Sequence, residues 1–293
     1  MIIDFNLSAH TFSKVAQYFS FPFVRYALIV SVLISLCAAL LGVTLVLKRY
    51  SMIGDGLSHI AFGAGAVSAA VGVAGMAISL PVTVATAVLL LKSKGKKKIM
   101  GDSAIAMLSA GSLAIGYLLL NLTESGSSNL SGDVCSSLFG STSILALKKN
   151  DVIMSLILAA FVILTFVLFY NKIFSVTFDE KFSFCTGVKV DTYNLIMAVM
   201  SAVVIVMGMK LVGALLISSL IIFPALSAMR VSKSYKGVII ISAGLSVVCS
   251  ILGIFASLVF ETPVGAGIVV INILAFGICT LIGHIKSKTR KGA

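Results

Sequence analysis

The chain has 293 residues, of which 59% are apolar and only 11% charged, with a mean hydropathy of +1.14. That balance excludes an ordinary soluble domain and identifies a membrane protein. A spanning helix uses ~20 mostly apolar residues, so the apolar content fills roughly eight or nine spans and leaves no room for a separate enzyme domain. The formal net charge of +12 sits in short segments between apolar runs, where it sets orientation rather than marking a nucleic-acid surface.

In chain order, the first 23 residues lack a basic start followed by an apolar core and a small-residue cleavage site. They read as an N-terminal interfacial segment with no cleaved signal. Residues 24–285 read as one membrane bundle and 286–293 as a basic tail, so 1–293 is a single permeating domain of all-α, polytopic type. Apolar runs predict nine spans: Val24–Leu47, Asp55–Gly72, Ala74–Leu91, Asp102–Leu122, Val152–Tyr170, Thr192–Met209, Val212–Met229, Val238–Phe260 and Val264–Ile285. The second and third are the least separable, which leaves eight as the alternative count. The polar stretch Ser131–Leu147, with Gly132 and Gly140, reads as a half-helix or re-entrant piece. Thr123–Asn129 reads as a flexible loop, and Phe174–Val190 as a connector that includes an interfacial helix.

Alternating the spans from an outside N-terminus puts 17 of the 22 lysines and arginines on the cytoplasmic side. Only Lys14, Arg25, Lys148, Lys149 and Lys210 fall outside, and the C-terminus is then cytoplasmic. The five cysteines, Cys37, Cys135, Cys185, Cys249 and Cys279, are scattered without a C-x-x-C spacing and read as packing residues.

Of the ten acidic residues, Asp55, Asp102, Asp133 and Glu261 fall away from evident loops. Asp55 stands in Gly54-Asp55-Gly56-Leu57-Ser58-His59, so its carboxylate and the His59 imidazole lie one turn apart on one helical face. A helix starting near Arg49 would carry His59 ~15 Å inward, about half of a ~30 Å hydrocarbon core. A carboxylate there costs about 2.5–3.5 kcal/mol unless it faces water or a partner. Carboxylate and imidazole together suit Zn²⁺, Mn²⁺ or Fe²⁺ better than Mg²⁺ or Ca²⁺. One pair is too few ligands, whereas two copies about a two-fold axis offer four. The competing reading makes Asp55 a helix cap and His59 a satisfied core histidine. Asp102 reads as an N-cap and Glu261 as a turn residue, and His10 and His284 lie in polar margins. There is no G-x-x-x-x-G-K-[ST] loop and no H-E-x-x-H, so ATP hydrolysis would belong to another chain.

The chain resembles the ABC-3 metal permeases, the membrane subunits of bacterial ABC importers for zinc and manganese. The likeness is carried by Met52–His59, Gly101–Ala106, Leu138–Ser141, Phe178-Asp179-Glu180-Lys181-Phe182, Val212–Ser218 through Pro224-Ala225, and Thr262–Val269. Glu261 and Val264 depart from the Asp and Ser common in the family. The resemblance implies a homodimer of type II importer fold in the bacterial cell membrane, two cytoplasmic ATPase subunits that hold the ATP, and an extracellular metal-binding lipoprotein that delivers the ion. It assigns the transported metal to Asp55 and His59, with no covalently bound cofactor. It also assigns ATPase docking to a coupling helix at Pro224, Ala225, Leu226, Ser227, Ala228, Met229 and Arg230; a proline break and the basic stretch Arg230–Lys236 fit that place. An ion-coupled secondary carrier using Asp55 and His59 as a proton relay is the main alternative. A siderophore or cobalamin permease is the nearer one.

Overall fold

The computed structural model describes residues 21–73, 75–92, 101–123, 147–260 and 262–291. It is built from helices α1 (Pro22–Leu47), α2 (Ile53–Val71), α3 (Gly75–Lys92), α4 (Gly101–Thr123), α5 (Lys149–Leu168), α6 (Tyr170–Phe178), α7 (Glu180–Cys185), α8 (Val190–Val212), α9 (Ala214–Val231), α10 (Tyr235–Phe260) and α11 (Val264–Lys291). Each of the nine expected spans corresponds to one long helix. Seven of these, α1, α4, α5 and α8–α11, are long and apolar enough to cross a membrane. The apolar part of α3, Gly75–Leu91, is shorter, and α2 carries Asp55 and His59 in place of apolar residues.

The connector after α5 contains two helices, α6 and α7, hinged at Phe169 and Asp179. They arise because α6 has only one apolar stripe: Ile173 and Val176 are buried while Phe174 and Phe178 stay exposed. Asp179 stops α6 and caps α7, its Oδ1 accepting the Phe182 N–H at 2.9 Å. The re-entrant expectation for Ser131–Leu147 lies outside the described residues except for the buried Leu147, as do Asp133, Glu261, His10 and Cys135.

Helix α1 is the axle of the bundle. It packs on α10, α9, α5 and α8, and its Ile34, Leu41 and Leu45 join Ile205 of α8 and Leu216, Ile217 and Leu220 of α9 among the most deeply buried side chains. Lipid offers no hydrophobic drive for one apolar helix to leave it for another, so close backbone approach has to hold the contacts. A Cβ on Gly42 would run into the carbonyl of Ile221, and one on Gly63 would sit 2.5 Å from the carbonyl of Ser112, so α1 meets α9 and α2 meets α4 nearly backbone to backbone. Along α10, Ser242, Ser246, Ser250 and Ser257 are buried, and Ser246 donates across to the Ser35 carbonyl of α1 at 2.7 Å. Helices α4, α5 and α11 are the least buried of the seven, with many of their apolar side chains exposed.

Contacts fix which ends lie together. Lys48 at the end of α1 meets Glu180 of α7, and Tyr235 at the start of α10 meets Phe174 of α6 with ring centroids 5.0 Å apart. The segments bearing Lys48, Arg49, Lys172, Lys181, Lys189, Arg230, Lys233 and Lys236 therefore gather at one end of the bundle. Lys210, which reaches Met76 Sδ at 3.7 Å, lies at the other. Two expected boundaries move. Helix α2 begins at Ile53 instead of near Arg49, because Lys48–Met52 form a tight turn; α4 begins at Gly101, so Asp102 is inside its first turn rather than before it. Helix α9 runs through Pro224 to Val231, so the expected proline break is absent.

Gly42→Val should cost about 1–3 kcal/mol through forced separation of α1 from α9, lowering the thermal midpoint of the detergent-purified chain. Gly244→Ala, where an added Cβ has nothing within 4 Å, should leave that midpoint unchanged.

Candidate metal site

Asp55 is the third residue of α2 and His59 the seventh, so the imidazole stands about 9 Å along the axis from Ile53. Their neighbours determine where they point. Gly54 lies against Ile221 and Ser218 of α9, and Gly56 against Ile105 of α4. Since consecutive helical residues are 100° apart, the residue between these two glycines faces the gap between α9 and α4. His59, one turn on, shares that stripe. The glycines are what allow it: side chains at 54 and 56 would lift α2 off both neighbours, and a Cβ on Gly56 would strike Ile105 Cγ2.

His59 Nε2 lies 3.5 Å from Asp55 Oδ1, with side chains 14% and 33% exposed respectively. The other ring nitrogen, Nδ1, is enclosed and has no hydrogen-bond partner. Burying an unpaired imidazole nitrogen costs stability, so such an atom points to a further role. Neither part of the competing reading fits this geometry. The residue in the N-cap position is Met52, not Asp55, and no side chain caps that helix start. Nor is His59 a satisfied core histidine.

The 3.5 Å separation has a chemical meaning. Tetrahedral Zn²⁺ ligated by imidazole nitrogen at about 2.0–2.1 Å and carboxylate oxygen at about 2.0–2.2 Å holds the two donor atoms roughly 3.4 Å apart. The pair's separation matches that of two ligands of one ion and is equally that of a long Asp–His ion pair. Among the described residues no third His, Cys, Asp or Glu joins them. His284 is exposed on α11. The segment 224–230 forms the last turns of α9, with Pro224, Ala225, Ser227 and Ala228 buried, Leu226 and Met229 partly so, and Arg230 exposed.

Sequence reasoning missed one polar cluster near this site. The Lys48 side chain is only 6% exposed; its ammonium donates to Glu180 Oε1 at 3.2 Å and to Asn194 Oδ1 of α8. The partners are 132 and 146 residues away, so spacing carried no sign of the contact.

The sequence model of the ABC 3 transport family matches residues 20–283. The chain belongs to that family. It is similar to the manganese import system permease protein ScaB of Streptococcus gordonii, with 29% identity over 87% of this chain and 90% of that one. It is also similar to the high-affinity zinc uptake system membrane protein ZnuB of Buchnera aphidicola, with 31% identity over 87% of this chain and 94% of that one. Among solved structures, PsaBC from Streptococcus pneumoniae in complex with Fab superposes with a TM-score of 0.78 at 27% identity, covering 91% of this chain and 94% of that one. The all-helical membrane fold expected from composition is thus the fold of an ABC permease.

Proposed function

We propose that this chain is the permease subunit of an ATP-driven importer of divalent transition-metal ions, Zn²⁺ or Mn²⁺ and by the same ligand chemistry Fe²⁺, with Asp55 and His59 as the groups that hold the ion in transit. The observation that carries this reading is the 3.5 Å spacing of Asp55 Oδ1 and His59 Nε2 on a partly exposed stripe between α9 and α4. Relatives named for manganese import and for zinc uptake support the ion class. A mixed oxygen and nitrogen pair suits those ions and disfavours Mg²⁺ and Ca²⁺.

Two ligands bind an ion weakly, so a second copy supplies the other Asp55 and His59 about a two-fold axis, making the working unit a homodimer. Transient holding requires that the ion can leave, which places tight capture on a solute-binding lipoprotein outside the cell. The lysine-bearing end faces the cytoplasm under the positive-inside rule, as does the C-terminal tail. Two ABC ATPase subunits dock there, at the end of α9 where Arg230 is exposed, and ATP hydrolysis on them drives alternating access. No covalent step falls to this chain.

Asp55→Ala and His59→Ala should each lower radioactive Mn²⁺ or Zn²⁺ uptake by cells that depend on this permease at least tenfold, with membrane levels and dimer size unchanged. Uptake within twofold of the parent would sink the assignment. Arg230→Glu should reduce co-purification of the ATPase at least fivefold while leaving metal retention by the purified dimer intact.

A further inference from the structure

The five residues Phe178–Phe182, part of the likeness to the family, have no task in the pathway just described. They begin with the end of α6 and fold into the start of α7, where Asp179 caps the helix and so fixes Glu180 as its first residue. Glu180 then meets Lys48, whose ammonium is buried and needs an anionic partner. Asn194 completes a triangle, accepting from Lys48 and donating to Glu180 Oε1 at 3.4 Å.

Lys48 is the cap residue of α1 and opens the turn that leads into α2. That turn is closed by Arg49 N–H to the Val46 carbonyl at 3.0 Å and Tyr50 N–H to the Leu45 carbonyl at 2.9 Å, the pair of bonds that ordinarily places glycine in the left-handed position. Here the left-handed residue is Arg49, at φ +62°. A side chain in that conformation persists only where its surroundings enforce it. The enforcement comes from both sides: Lys48 is clamped by Glu180 and Asn194, and Tyr50 is buried. The turn hands over directly to α2, Ile53 N–H bonding the Tyr50 carbonyl at 3.2 Å and Gly56 N–H the Met52 carbonyl at 3.0 Å. Asp55 lies between those two anchored amides.

We propose that Glu180 is a positioning residue: acting through Lys48, it sets the strained turn that fixes where α2 begins and hence where Asp55 and His59 stand. The arm that carries Glu180 is itself braced. Ser175 and Ser183 share a hydrogen bond of 2.6 Å that locks α7 to α6, and Phe174 and Phe178 pack on Tyr235 at the start of α10. The α6–α7 arm is thereby joined to the turn before α2 by the Lys48 cluster, alongside the direct packing of α10 on α1. The consequence for transport rests on the metal reading above; the consequence for the turn does not.

The test uses the full chain in lipid nanodiscs and, in parallel, cells that depend on it. In Glu180→Gln, hydrogen exchange at the amides of 49–56 should accelerate at least tenfold while α5 and α11 stay unchanged. Maximal uptake should fall at least fivefold with half-saturation within twofold. The exchanged pair Lys48→Glu with Glu180→Lys should bring both readouts back to within twofold of the parent. Should Glu180→Gln fail to fold, Asn194→Ala, which removes one partner only, should accelerate the same amides about threefold. Unaltered exchange at 49–56 in a folded variant overturns the proposal, as does a swap that folds without restoring it. Faster exchange with full uptake also overturns it, provided Asp55→Ala has lost uptake. If Asp55→Ala keeps uptake, the metal reading has failed instead, and the exchange measurement alone decides this inference.

Discussion

A carboxylate and an imidazole are retained in an apolar bundle only if the helix that carries them is held firmly on its other faces while their own face stays open. Helix α2 meets this constraint with glycine. Gly54 and Gly56 flank Asp55 and let the backbone sit against α9 and α4, and Gly63 continues the contact with α4 two turns on along the same stripe. With both flanks in contact, the stripe between them is only partly covered, Asp55 more open than His59. The polar pair and the glycines beside it are two aspects of one arrangement, since bulk at either flank would swing the pair out of register with the gap.

The same economy of side-chain size runs through the bundle. Gly42 brings α1 onto α9, and small serines line the buried face of α10, of which Ser246 bonds across to α1, in a setting where close contact must replace the hydrophobic effect. Beyond the apolar core, α4, α5 and α11 expose further bulky apolar side chains on their outer faces. Large apolar groups thus lie both in the centre and on the outside of the bundle, whereas in soluble proteins the outside is mostly polar.

Much of this was readable from the residues because the hydrocarbon layer imposes a length. Nine apolar runs became nine long helices, with ends shifted by three residues or fewer except at the C-terminus, where α11 runs six residues past Ile285 to Lys291; polar margins such as Lys149–Asp151 still coil. The pairing of Asp55 with His59 was legible because both sit on one helix, where spacing translates directly into geometry. The start of α2 was not, since nothing in Lys48-Arg49-Tyr50-Ser51-Met52 announces a left-handed turn without glycine. Pro224 misled in the opposite sense: α9 carries it without breaking, in a part of the helix closely packed by its neighbours. Glu180 looked like a loop acid and Lys48 like a topological charge. Only folding brings positions 132 residues apart into contact, and a single sequence holds no local trace of that meeting.

Mounting two side chains on successive turns of one helix fixes how far apart their Cα atoms stand, while rotation about χ1 and χ2 still lets the Asp55 and His59 donor atoms draw together or part. Under the role proposed for the pair, ions of somewhat different radius are met by side-chain rotation alone, and discrimination between ions of similar charge falls to whatever supplies the remaining donors.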